Sequence, residues 1–100
     1  NWNKYDNGRE GILLGTAHAN IIGNRINGGA PSGTSYEGVK LINSDFCKII
    51  GNIINRGGTS YTINISDSGS GTNIVIGNSL EGGTATINDS GTGDIVANNG

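Results

Sequence analysis

The chain has no methionine, one proline, one cysteine, one tryptophan, one phenylalanine and one histidine. Each scarcity removes a class of explanation. The lone thiol of Cys47 cannot close an internal disulfide, and its apolar setting in "CKII" marks it as an inert buried group that leaves the redox compartment open. The lone His18, in "TAHAN", lacks companions at metal-ligand spacing and reads as a surface or turn residue. Charge is also sparse. Six Lys and Arg against eight Asp and Glu leave a formal −2 with no run of one sign, which excludes the electrostatic footprint of a nucleic-acid binder and a polybasic membrane surface. No apolar run approaches the roughly 18 residues that would span a bilayer. With no Met and an opening Asn1, the chain reads as a processed or excised piece of something longer.

What remains is an unusual mixture. Asn and Ile each number 15 and Gly 19, while Leu, Ile, Val and Phe together total 23. That core-forming fraction is only just above the level below which chains stay disordered, so burial must be efficient. Isoleucine favours strands, and Gly and Asn favour tight turns.

The same eight-letter unit recurs along the chain: "ANIIGNRI" at 19–26, "CKIIGNII" at 47–54 and "NIVIGNSL" at 73–80, with a weaker "DIVANN" near the end. Its asparagines fall at Asn24, Asn52, Asn78 and Asn98, spaced 28, 26 and 20 residues apart. This period is that of solenoid coils, and unequal spacing is tolerated where a turn bulges outward, as "APSGTS" does at 30–35. A second strand signal precedes each unit: "GILL" at 11–14, "GVKL" at 38–41, "TINI" at 62–65 and "TIND" at 86–89.

One such coil cannot bury its own inward side chains, whereas stacked coils bury a continuous column. Ile21, Ile49, Val75 and Ile95 are expected to form one inward ladder, and Ile26, Ile54 and Leu80 another. The Gly-Asn pair turns the corner between them, and the Asn amides are expected to bond coil to coil as a ladder through Asn24, Asn52, Asn78 and Asn98. The fold class is therefore all-β, a parallel solenoid of about four coils. The expected divisions are 1–7 (end of a preceding coil or cap), coils at 8–29, 35–58, 59–83 and 84–100, and a turn insertion at 30–34.

The repeated I-x-G-N-x-I unit, over residues 8–100, resembles the right-handed parallel β-helix proteins of the pectin-lyase-like superfamily, which include pectate lyases, polygalacturonases, NosD-like repeat proteins and bacteriophage tailspikes. The resemblance implies a right-handed solenoid, a hand that parallel crossovers also prefer. That scaffold carries lyases, hydrolases, epimerases and inert fibre segments, so activity has to be argued from a site.

If Ile21, Ile49, Val75 and Ile95 point inward, then Ile22, Ile50, Ile76 and Val96 point outward as a second apolar stripe. A stripe of that length implies a partner surface, self-association as a homotrimer being the expectation. A chain segment outside these residues, or turn geometry tucking both residues inward, would also account for it.

Candidate chemistry is thin. Glu10 and Glu37 stand one coil apart, each before a glycine, at a separation suited to a retaining glycosidase pair or simply to solvated turns. Asp45, Asp67 and Asp89 form an approximate column that could hold a cation, although Asp-Ser-Gly is an ordinary turn sequence. Lys48 and Arg56 are the nearest bases for a lyase, without a motif tying them to the aspartates. Tyr36 and Tyr61, beside Arg9, could stack as a saccharide platform or serve as strand caps.

The expected function is a structural, carbohydrate-contacting segment of a trimeric tailspike or tail-fibre adhesin at the virion or extracellular surface. It would use no cofactor or metal, bind no nucleic acid and insert into no membrane. The alternative is an extracellular polysaccharide lyase or glycoside hydrolase, and a third possibility is a structural filament segment without sugar contact.

Overall fold

A computed structural model describes residues 2–4, 11–27, 37–55, 61–81 and 86–100. Among them the chain forms strands of three residues each: Trp2–Lys4 (β1), Ile12–Leu14 (β2), Asn20–Ile22 (β3), Arg25–Asn27 (β4), Val39–Leu41 (β5), Lys48–Ile50 (β6), Ile53–Asn55 (β7), Ile63–Ile65 (β8), Ile74–Ile76 (β9), Ser79–Glu81 (β10), Ile87–Asp89 (β11) and Ile95–Ala97 (β12). Every third strand joins the same sheet. The orders are β1-β4-β7-β10, β2-β5-β8-β11 and β3-β6-β9-β12, and all the pairings are parallel. The chain is thus a parallel β-solenoid of about four coils with three flat sides. The expected turn insertion at 30–34 lies outside the described residues.

Alternation along each strand decides what enters the core. In β5 and β8 the flanking residues point inward, so Val39, Leu41, Ile63 and Ile65 are fully buried while Lys40 and Asn64 are not. In the other two sheets the central residue points inward, giving Ile26 and Ile54 on one side and Ile21, Ile49 and Val75 on the other. Cys47 completes the buried cluster. Ile12, Leu14, Leu80 and Ile87, on the outermost coils, are only partly buried because they have a neighbouring coil on one side alone. Burying each such aliphatic side chain contributes about 1.5–3 kcal/mol, and no single coil could collect that on its own.

Two corners flank the third sheet, and both are columns of left-handed backbone. Before the strands stand His18, Phe46, Thr72 and Gly93, with φ of 63°, 55°, 57° and 69°; after them stand Gly23, Gly51, Gly77 and Asn98, with φ of 68°, 65°, 68° and 55°. The hydrogen-bond ladder continues round the second corner, from the N–H of Gly23 to Ile50 O and from that of Gly51 to Ile76 O, both at 3.1 Å. A Cβ added to Gly51 would meet nothing within 4 Å, so only the backbone conformation resists a larger residue there. Gly51→Ala should therefore destabilise by about 1–2 kcal/mol, and Gly51→Asn by clearly less, because Asn98 already holds the equivalent corner. Urea denaturation of the two variants measures the difference.

Candidate functional surface

The Gly-Asn corner carries an internal amide ladder. The backbone N–H of Asn24 donates to Asn52 Oδ1 at 2.8 Å, that of Asn52 to Asn78 Oδ1 at 3.0 Å, and that of Asn78 to Asn99 Oδ1 at 3.0 Å. Each side-chain amide donates to the next Oδ1, over 3.3, 2.9 and 2.8 Å. The Nδ2 groups of Asn52, Asn78 and Asn99 also reach back to the carbonyls of Ile21, Ile49 and Val75 at 2.8, 2.9 and 3.0 Å. Asn52 and Asn78 are almost wholly buried, and these bonds satisfy polar groups that would otherwise be stranded in the core.

The fourth coil departs from the sequence expectation by one residue. Asn99, not Asn98, takes the ladder position, and Asn98 stands at the glycine corner with φ 55°. Register agrees: Val96 lies beside Val75 in the inward column and Ala97 beside Ile76, while Ile95 pairs with Ile74 and is 53 % exposed. Val96 is therefore not part of the outward stripe, nor is Ile95 part of the inward ladder. The cause is that a left-handed corner accepts Asn almost as readily as Gly, so "ANN" contains two residues that fit one Gly-Asn pair.

A second polar column runs up the other corner of the third sheet. The backbone N–H of Cys47 donates to Asn73 Oδ1 at 2.9 Å and that of Asn73 to Asp94 Oδ1 at 2.7 Å, while Asn73 Nδ2 donates to Ser44 O at 2.9 Å. Beside it the N–H of Ser44 donates to Ser70 Oγ at 3.0 Å. The buried Cys47 thiol lies 3.5 Å from Asp45 O and 3.6 Å from Thr16 O. No repeated letter marks this column in the sequence.

The three aspartates do not form a column. Asp45 bridges Ala17 and Gly71 in the corner stack, Asp89 pairs with Ile65, and Asp67 accepts from the N–H of Asn43 and from Ser70 Oγ. Asp89 Oδ1 accepts from the N–H of Gly91. Turn lengths differ from coil to coil, so similar Asp-Ser-Gly letters land on different levels. Among the described residues no cluster of three His, Cys, Asp or Glu side chains could hold a metal ion.

Glu37 is 3 % exposed, and its Oε2 accepts from Asn64 Nδ2 at 2.7 Å with Lys40 Nζ at 3.8 Å. This carboxylate is engaged within its own sheet rather than presented to solvent. Arg9, Glu10, Tyr36 and Arg56 lie outside the described residues. Tyr61 is 41 % exposed, and counting back from the pairing of Val39 with Ile63 places Glu37 level with it. An aromatic pair that the sequence reading missed lies elsewhere: His18 and Phe46 stack with ring centroids 5.2 Å apart and planes 8° from parallel. Only the shared left-handed corner brings them together.

The three outer faces differ in chemistry. Outside the first sheet, Arg25 Nη2 bonds Glu81 Oε1 at 3.4 Å beside Ser79, Asn55 and the exposed Ile53. Outside the second, Leu13 is followed by Lys40, Asn64 and Asn88, and Asn88 Nδ2 donates to Asn64 Oδ1 at 2.9 Å. The third sheet shows two outward columns, Asn20-Lys48-Ile74-Ile95 and Ile22-Ile50-Ile76-Ala97. Ile22 is 55 % exposed, and Ile50, Ile74 and Ile76 are half-buried. Five isoleucines thus face outward on one side of a solenoid whose other two sides carry amides and charges with one exposed aliphatic residue each, Ile53 and Leu13. Among the described residues no helix is long and apolar enough to cross a membrane.

Compared with known proteins, the chain matches no family model, no curated protein and no solved structure. Strand order and register therefore carry the assignment of a parallel β-solenoid by themselves.

Proposed function

We propose that the chain is a structural β-solenoid segment of a fibrous surface protein, of the trimeric tailspike or tail-fibre adhesin kind, that packs side by side with copies of itself through the third sheet. The observation that carries this reading is the outward face of β3, β6, β9 and β12 with its five isoleucines, set against two faces with a single exposed aliphatic residue each. Its columns run along the solenoid axis, so parallel copies meet like against like around a rotation axis without any further sequence device. Lys48, exposed within the face, is long enough to lay its stem on the isoleucines and keep its ammonium in water.

Size sets the strength. Strands about 4.8 Å apart and two outward columns give a face of only a few hundred Å² at most, against about 800 Å² per partner in a stable interface. Four coils alone should therefore associate weakly, and longer stacks more tightly. The exposed rings of Phe46 and Tyr61 are suited to the C–H faces of a saccharide, which gives the segment its contacting role at an extracellular or virion surface. The enzymatic alternative has less support, because Glu37 is buried and already bonded.

Sedimentation velocity over a concentration series tests the association. The chain should shift from monomer toward trimer as its concentration rises, and Ile76→Asp should abolish the shift while leaving the circular dichroism of the monomer unchanged. A chain that remains monomeric at the highest soluble concentration, or an Ile76→Asp variant that associates like the parent, overturns the proposal.

A further inference from the structure

We propose that Asp94 is a proton-operated latch that fastens the fourth coil to the third, its carboxyl filling the internal position that Asn73 fills one coil earlier. The comparison between the two coils carries the argument. At position 73, Oδ1 accepts the N–H of Cys47 and Nδ2 donates to Ser44 O. At position 94, Oδ1 likewise accepts the N–H of Asn73 at 2.7 Å. The other oxygen, Oδ2, stands where an amide nitrogen would stand, and it is buried without a hydrogen-bond partner.

The groups around this carboxyl are themselves acceptors, the Ser70 carbonyl beside Gly91 and the Asp89 carboxylate. The bridges of Asp45 with Gly71 and of Gly71 with Thr92 place Ser70 level with Ser44 and Gly91 level with Ser70. A Cβ on Gly91 would collide with both Asp94 Oδ2 and the Ser70 carbonyl oxygen, so both oxygens border the small space beside Gly91. Neither carries a hydrogen when Asp94 is ionised. A proton on Oδ2 turns it into a donor aimed at acceptors, as Asn73 Nδ2 is aimed at Ser44 O.

The charged group facing this carboxyl is Asp89 at the end of β11, whose Oδ1 already accepts from the N–H of Gly91. The partners from the third coil, Asn73 and Ser70, are neutral. Burial raises the Asp94 pKa above the ordinary 3.8, the backbone N–H of Asn73 opposes that rise, and Asp89 reinforces it. The sign follows from linkage. A carboxyl whose pKa is higher in the folded than in the unfolded chain gives stability that is fully present below the ordinary value and is lost as pH rises through the folded value. The fourth coil should therefore be held most firmly in acid and loosen toward neutral pH. Loosening it uncovers Ile63, Ile65 and Val75, which are fully buried beneath β11 and β12.

Two measurements on the 100-residue chain test this. In a carbon-13 titration the Asp94 carboxyl should titrate above 3.8. Hydrogen-exchange protection factors at the amides of Asn73, Thr92 and Ile95, which bond across the third and fourth coils, should fall about five- to tenfold from acid to neutral pH, the loss of one net hydrogen bond. Asp94→Asn should hold the acid-level protection at neutral pH. Asp89→Asn should lower the Asp94 midpoint while keeping the pH dependence. Titration of Asp94 at or below 3.8 overturns the latch, as does a pH dependence at those amides that survives in Asp94→Asn. Should Asp94→Asn fail to fold, the parent titration decides alone.

Discussion

Ile49→Asp is expected to unfold the chain, while the neighbouring Ile50→Asp leaves it folded and removes its capacity to associate. Ile49 is fully buried, stacked between Ile21 and Val75 in the inward column of the third sheet. Replacing it forfeits about 2–3 kcal/mol of apolar burial and places a carboxylate in an aliphatic column, which costs several kcal/mol more or forces a proton onto it. A domain of this size has about 5–15 kcal/mol in total, and one with so few core-forming residues belongs at the low end. Ile50 is one residue further along, pairs with Ile22 and Ile76, and points outward. A carboxylate there reaches water, and the expected cost is about 1 kcal/mol, the span of strand propensities. Thermal melts followed by circular dichroism, with sedimentation of the folded variant, separate the two outcomes. Unfolding by both substitutions would show that the third sheet does not have distinct inner and outer faces.

That contrast was legible in the sequence for three coils and misread in the fourth. The unit around Asn24, Asn52 and Asn78 repeats its apolar flanks along with its Gly-Asn corner, so the strand centre, the corner and the ladder could be counted off together. In "DIVANNG" the corner glycine is replaced by Asn98, and letter matching then slides the whole coil by one position. A slip of one residue in a strand exchanges its inner and outer faces, which is why letter matching places Val96 and Ile95 on each other's sides. The second corner column was hidden for a different reason. Cys47, Asn73 and Asp94 have no letter in common, and what they share is an inward position beside a left-handed residue. The aspartates misled in the opposite direction: Asp67 and Asp89 share a motif, "DSG", on adjacent coils, yet Asp89 pairs with Ile65, two residues before Asp67, because the chain between strands differs in length. Repetition of residue type reveals a solenoid, but level within the stack is set by hydrogen-bond register, and counting through variable turns does not preserve it.

The internal ladder offers the second large effect and a direct check of that register. Asn52→Leu keeps the approximate volume and adds apolar surface, yet it deprives the N–H and Nδ2 of Asn24 of their acceptor and the carbonyl of Ile21 of its Nδ2 donor. Each polar group left buried and unpaired costs about 1–3 kcal/mol, so a net loss of about 2–5 kcal/mol is expected after the gain from the leucine, visible as a lower urea midpoint. The same exchange at Asn99 should cost less, because the end of the ladder is only half-buried and water can replace part of what is lost. Asn98→Gly should be neutral or slightly stabilising, since glycine carries no steric penalty at φ 55°, whereas Asn99→Gly removes the acceptor that serves both the N–H and the Nδ2 of Asn78. If Asn98→Gly were the more damaging of those two, Asn98 would have to be the ladder residue. The fourth coil would then sit one residue out of step with the register described here, and Val96 would return to the outer face.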